Sequence, residues 1–341
     1  MTYVCGMSRT LQVAREEWPL SSPLRITGYT FTRLTVIVVT LSEGVHVGRG
    51  EATGVFYLNE LPECLIGQIE AVRESIEAGV SREELRGLLP PGGARNAVDC
   101  AMWELESQQA RKPVWALAEL PAPVPLLTTY TLGADTPEAM AAGAVGKYRG
   151  ARAIKLKLLG DSFDAARVRA VRNARPDVWI AVDANQGSTR ESLAALLPCL
   201  TAARVALIEQ PFPRGDEYQL DGFYSPIPLA ADESVQSLAD IPGLVGRFQV
   251  MNIKLDKCGG LTEALLMVQE GLRLGLRVMV GNMGGTGLAM APALLVGQHC
   301  DIVDLDGPLF LQRDRTPPVI YDHGYVSAPE GLWGWPAQCH G

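Results

Sequence analysis

No CxxC pair occurs among the seven cysteines of this 341-residue chain, which stand scattered at 5, 64, 100, 199, 258, 300 and 339. An odd, dispersed set argues against a disulfide framework or a thiolate zinc site, and for reduced thiols in a cytoplasm. Long apolar runs are missing too. The longest, such as "VALI" and "LAMAPALLVG", fall well short of a bilayer span. The opening stretch, "MTYVCGMSRTLQVAREEWPL", has no apolar core followed by a small-residue cleavage site, so secretion is not expected. No dense lysine or arginine patch occurs either. With 30 basic against 38 acidic residues the net charge is −8, a poor match to nucleic acid or an anionic membrane.

What is present is enough apolar material, 47% of the chain, to fill a substantial core, in a length that suits two domains. Residues 1–122 read as a small α+β unit. "RLTVIVVTLSEGVHVGRGEA" (33–52) gives two strands joined by a turn at Glu43–Gly44. Helical segments follow at 65–80, at 81–89 with Ser81 as N-cap and Glu84 three residues on, and at 94–110. From about 125 the pattern changes. Eight short apolar runs, "LLTTYTLG", "AIKLKL", "VWIAVDAN", "VALIEQP", "PLAADES", "QVMNIKLD", "RVMVGNM" and "CDIVDLD", alternate with amphipathic helical segments. Thr136 and Pro137 open the first of these helices. Such alternation points to a parallel sheet, most economically a (β/α)8-type barrel over 123–317. The Pro/Gly-rich stretch 318–341 is expected to pack back on the first domain.

Catalytic groups of such barrels gather at the C-terminal ends of the strands. The second run ends in Lys155 and Lys157, the third in Asp183 and Asn185, and the fourth in Glu209. The fifth ends in Asp232 and Glu233, the sixth in Lys254, and the eighth in Asp304 and Asp306. From Lys157 the steps to Asp183, Glu209, Asp232 and Lys254 are 26, 26, 23 and 22 residues, each about one strand–helix unit. A single such aspartate is most simply a helix cap. Three carboxylates converging from adjacent strands cannot all stay ionised without a cation, and oxygen-only ligands suit a hard ion such as Mg²⁺.

The lysines flank that triplet. Strands two and six lie across a barrel from one another, so Lys157 and Lys254 are expected to face each other over the metal. Lys155, on the same strand face as Lys157, supplies a neighbouring positive charge that lowers a lysine pKa. Two opposed bases beside a Lewis-acidic ion suit removal and return of a proton on the carbon next to a carboxylate. The outcome is inversion at that carbon, or elimination if a leaving group is present.

The motifs "IKLK", "VDAN", "IEQP", "ADES" and "NIKLDKCGG", in this order, resemble the muconate-lactonizing subgroup of the enolase superfamily, and the likeness extends to "GRGEA" and "ARNAVDCAMWEL" in the first unit. The resemblance implies a modified (β/α)7β barrel of TIM type with an N-terminal α+β capping domain. It implies Mg²⁺ on Asp183, Glu209 and Asp232, with Lys157 and Lys254 as the acid/base pair. Homo-oligomers, dimers or octamers, are also common in that superfamily. "DIVDLDGP" (301–308) looks like the DxD of dipeptide epimerases, whose two carboxylates hold the α-ammonium of a dipeptide. Thr131, at the end of the first strand, is a further candidate for substrate contact.

The resemblance departs at one position. Some Ala-Glu epimerases carry an arginine in the first cap loop. Aligned from the shared "WPL", Phe31 falls there, with Arg25 and Arg33 off register, which points to a different dipeptide side chain. The loops 21–33 and 53–60 are expected to cover the substrate and set that preference. Competing readings keep the fold but make the chain an o-succinylbenzoate synthase, a cycloisomerase or an N-acylamino acid racemase. A different class is a barrel that binds a small anion without catalysis.

Overall fold

The computed structural model describes residues 8–26 and 28–334. Cys5, Cys339, the first residues of the stretch read for a signal sequence and the end of the 318–341 segment lie outside the described residues.

The first unit is built on an antiparallel sheet, β1 (Thr10–Ile26), β2 (Tyr29–Glu43) and β3 (His46–Ala52), in the order β1-β2-β3. The expected pair is β2 and β3. The extra strand, β1, escaped the sequence pattern because, among its described side chains, only Leu11 and Leu20 are buried and because it carries Pro19 and Pro23. Both features are tolerated at an edge, and the pairing shifts register between Pro19 and Leu24. The sheet's inner face, with Ile37, Val39 and Leu41, packs on Leu65, Ile69, Ala97 and Leu105. The helix expected over 65–80 is two pieces, Pro62–Ala71 and Arg73–Glu77, broken at Val72. The Ser81–Glu84 capping box is present. The long helix Gly93–Ala110 lies so close on β3 that a Cβ at Gly48 or Gly50 would run into the carbonyl oxygens of Ala101 and Ala97.

After the short strand β4 (Leu126–Leu127) come eight parallel strands: β5 (Thr129–Leu132), β6 (Ala153–Lys157), β7 (Trp179–Asp183), β8 (Leu207–Glu209), β9 (Leu229–Ala231), β10 (Val250–Ile253), β11 (Arg277–Val280) and β12 (Ile302–Val303). They neighbour one another in chain order, giving the nearly closed α/β barrel that the strand–helix alternation implied. Ala181, Leu207, Ala230, Val250, Met279 and Ile302 form the packed interior under the site. Two connections differ from expectation. After β8 and β9 the chain makes only 3-10 turns, Glu217–Leu220 and Leu238–Leu244, where glycines, Pro242 and a lack of helical periodicity deny an α-helix.

The seam between β12 and β5 is closed through side chains. The Thr128 hydroxyl bridges Val303 O (3.3 Å) and Leu305 N (2.9 Å), the Thr129 hydroxyl donates to Asp304, and Thr131 N donates to Asp306 Oδ2 (2.6 Å). The C-terminal hairpin, β13 (Ile320–Asp322) and β14 (Tyr325–Ser327), pairs with β4. Beyond it Trp333 donates to Arg49 O (2.9 Å) and Gly334 O accepts from Val114 N (2.8 Å), so this segment touches both barrel and cap. Glu51 at the end of β3 joins the units, accepting from Thr286 N (2.7 Å) and from Arg315 (2.7 Å). Among the described residues no helix is long and apolar enough to cross a membrane.

Candidate active site

The strand ends bring Lys155, Lys157, Asp183, Glu209, Asp232 and Lys254 to one end of the barrel. Parallel register aligns Lys157 with Asp183 and Asp183 with Glu209, so the three neighbouring side chains point into one space. One carboxylate oxygen each from Asp183, Glu209 and Asp232 lies within 4.8 Å of the others, and all three residues are at most 1% exposed. β6 and β10 stand four strands apart in a ring of eight, so Lys157 and Lys254 approach from opposite sides.

Each lysine meets a carboxylate. Lys157 Nζ donates to Asp183 Oδ2 at 2.5 Å and to Asn185 Oδ1 at 3.0 Å. Lys254 Nζ donates to Asp232 Oδ2 at 2.6 Å. Lys155 Nζ donates to Asp304, lies 3.2 Å from Glu209 Oε2, and reaches Asp183 at 3.7 Å. Lys155, expected to supply a positive charge beside Lys157, thus stands among three carboxylates. Burial works against its charge, but Asp304, Glu209 and Asp183 outweigh this and hold it well above the ordinary lysine value. Lys254 is also raised, because Asp232 and Glu209 overcome its desolvation.

The carboxylates divide in the opposite sense. Burial and the charge of Asp183 lift Glu209 to about 7, despite Lys155. Asp232 is desolvated as fully, yet Lys254 and Lys257 hold it well below the ordinary carboxylate value. Glu233, buried beside Asp232 and Asp183, is pushed up to about 8.

The remaining candidates also border the cavity, of about 350 Å³. Asp304 is engaged by Lys155 and Thr129. Asp306 is held by Thr131 N and raised to about 6 by burial and by Asp304. Asn185, in a left-handed conformation (φ 41°), bridges Lys157, Asp183 and Glu233. Phe31 belongs to a ring cluster on the cap side, 5.3 Å from Phe56, which lies 4.6 Å from Tyr29 and 5.3 Å from Tyr57. Leu20, Leu24, Leu34 and Phe310 extend this apolar wall. Arg15 and Arg33 stand at its rim, both tied to Glu17 (3.2 and 3.1 Å).

Several contributors escaped the sequence reading. Lys257 donates to Asp232 Oδ1 (2.6 Å) and to Asp232 O (2.5 Å), and Asn252 donates to Glu209 Oε1 (2.7 Å). Both belong to "NIKLDK". The alternation of Asn252 with Lys254 was a usable signal, whereas the direction of Lys257 off a short helix was not. Gln210 Oε1 fixes Asp232 N (2.9 Å).

The donor set fits a hard divalent cation. It offers oxygen only, from three buried carboxylates, and Glu233 Oε2 beside it is buried with no protein partner among the described residues.

The architecture is matched by two family descriptions: "Mandelate racemase / muconate lactonizing enzyme, N-terminal domain" over residues 8–118 and "Enolase C-terminal domain-like" over 139–334. The chain belongs to the enolase superfamily. Among similar proteins, an L-Ala-D/L-Glu epimerase of Escherichia coli K12 is 37% identical over 93% of this chain and 98% of its own length. An N-acetyl-D-glutamate racemase of Pseudoalteromonas is 40% identical over 88% and 95%. A crystal structure of an Agrobacterium tumefaciens enolase family member with homology to dipeptide epimerases, described with bound sodium and L-Ala-L-Glu, superposes with a TM-score of 0.92. It is 41% identical and covers 96% of this chain and 100% of that one.

Proposed function

We propose that the chain is a Mg²⁺-dependent dipeptide epimerase, an isomerase that inverts the α-carbon of a dipeptide's C-terminal residue by two-base proton transfer. The observation that carries this reading is the opposition of Lys157 and Lys254 across three convergent buried carboxylates. When bound to Asp183, Glu209 and Asp232, Mg²⁺ would supply a Lewis acid for the substrate carboxylate. One lysine, neutral, takes the α-proton from its face. The other, as an ammonium, delivers a proton to the opposite face. Asp183 and Asn185 orient Lys157, and Asp232 orients Lys254. Asp306 and Asp304, fixed by Thr131 and Thr129, receive the substrate's α-ammonium.

The tetrahedral α-carbon then assigns the side chain. With the carboxylate toward the metal carboxylates, the hydrogen toward a lysine and the amide nitrogen toward the Asp304–Asp306 side, the remaining substituent points at the cap. There it meets Phe31, Phe56 and Leu24, while the rim arginines are already salt-bridged. An apolar or aromatic C-terminal residue suits that wall. In D₂O with Mg²⁺, L-Ala-L-Phe and L-Ala-L-Leu should gain α-deuterium at the C-terminal residue and lose optical purity, with kcat/KM above that for L-Ala-L-Glu. Preference for L-Ala-L-Glu would overturn the side-chain assignment, and exchange of no dipeptide would overturn the epimerase.

The similarity to an N-acetyl-D-glutamate racemase favours a second reading, N-acylamino acid racemisation. Such a substrate has no ammonium for Asp306, so Asp306→Asn should leave its turnover intact and impair that of a dipeptide. The dipeptide and further copies of the chain are the partners this proposal includes, and unpaired cysteines such as Cys100 and Cys258 fit a cytoplasmic location.

A further inference from the structure

The cap segment 53–60 is pinned to the barrel at points the reaction does not use. Asp256, two residues beyond Lys254, accepts from Thr53 N (2.8 Å) and Gly54 N (3.0 Å). Glu60 Oε2 accepts from Val55 N (2.9 Å) and Gly93 N (3.1 Å), tying the two ends of the segment to each other and to the helix Gly93–Ala110. Between these anchors stands Tyr57, which borders the cavity together with Asp232, Glu233, Lys254 and Asn185.

The Tyr57 hydroxyl has one protein partner among the described residues, Gln236 Nε2 at 3.1 Å. That amide cannot be turned round to present its oxygen. The same Nε2 donates to Glu233 O at 2.8 Å, and reversing it would set two oxygens against each other. Gln236 is therefore the donor and Tyr57 the acceptor. The phenolic hydrogen is left over, at a cavity wall, with no acceptor among the described residues. Burial and the charges of Asp232 and Glu233 keep the phenol protonated, so it is a neutral donor throughout the working pH range.

We propose that Tyr57 is a substrate-contacting residue whose phenolic O–H donates to the carboxylate of the dipeptide's C-terminal residue. This rests on the epimerase reading. The acceptor is chosen by position: the substrate group that must lie beside Asp232 is the carboxylate, and its oxygens gain negative charge as the α-proton leaves. A donor held by Gln236 and by the anchored segment strengthens as that charge develops, without having to reorganise. Loss of a preorganised donor of this kind costs about 10²–10³ in kcat where it is the main stabiliser. Here Lys155 and a cation held by Asp183, Glu209 and Asp232 would share the task, so a smaller loss is expected.

Tyr57→Phe should lower kcat by roughly tenfold or more in both directions, with a much smaller change in KM. Calorimetric titration of the same dipeptide into the Mg²⁺-loaded protein should show its Kd weakened only a few-fold. Gln236→Leu, which keeps the phenol but frees its ring, should give a smaller fall in kcat with KM unchanged. A Tyr57→Phe protein that melts like the parent and keeps its kcat overturns the inference alone. Should Tyr57→Phe fail to fold, Gln236→Leu decides, and an unchanged kcat there overturns it. A parent protein that exchanges no dipeptide overturns the epimerase reading and this inference with it.

Discussion

Asp256 is the carboxyl group on which the cap segment hangs, and its position has an electrostatic cost. Burial raises it to about 7, although the two backbone N–H groups of Thr53 and Gly54 work the other way. In the unfolded chain it titrates near 4. Between those values the unfolded state has released a proton that the folded state keeps, so this group's contribution to stability falls as pH rises from about 4 to 7 and is level above. Asp256→Asn retains one acceptor and removes the titration. The drop in melting temperature across that pH interval should therefore be shallower in the variant. An identical pH profile would show that the carboxyl is not protonated in the folded protein. The site's main residues were legible because ionisable side chains at the ends of apolar runs are costly unless they have work to do. Their partners were not: the pairing of Lys155 with Asp304 joins residues 149 apart, and no local pattern encodes it.

Elements of the cap show where local pattern is decisive and where contact is. β2 and β3 could be read from apolar, β-branched stretches on either side of the Glu43–Gly44 turn, but β1 could not, because an exposed edge strand carries little apolar pattern. The two 3-10 connections after β8 and β9 were over-read as helices, since strand spacing alone does not say how a connection is filled. Gly50 illustrates contact. It is an ordinary strand residue by sequence, yet its Cα faces the backbone of the helix Gly93–Ala110 with no room for a methyl group. Gly50→Ala must separate that helix from β3 and loosen the packing around Ile37 and Val39. A destabilisation of about 1–3 kcal/mol is expected from overpacking, seen as a lower urea midpoint with the slope preserved. An unchanged midpoint would mean the two elements part at little cost.

For the molecule as a whole, a cation bound by Asp183, Glu209 and Asp232 joins three adjacent strands that the chain supplies at intervals of 26 and 23 residues. An ion that binds only the folded barrel stabilises it by mass action, about 2.7 kcal/mol at a hundredfold excess over its Kd. The melting temperature should rise with MgCl₂ beyond the effect of KCl at equal ionic strength, and EDTA should reverse the gain and stop α-proton exchange. A melting temperature indifferent to Mg²⁺ would count against the metal assignment. The seam between β12 and β5 has a consequence for synthesis. Thr128, Thr129 and Thr131 meet their partners 175 residues later in the chain. Closing so long a loop carries an entropic cost that grows only slowly with length, but it cannot be met until the last strand exists. On the ribosome the β12–β5 seam therefore cannot close until the eighth barrel strand has been made. The Asp304–Asp306 side of the cavity, proposed above to receive the substrate's amino end, is among the last parts of the site to be completed.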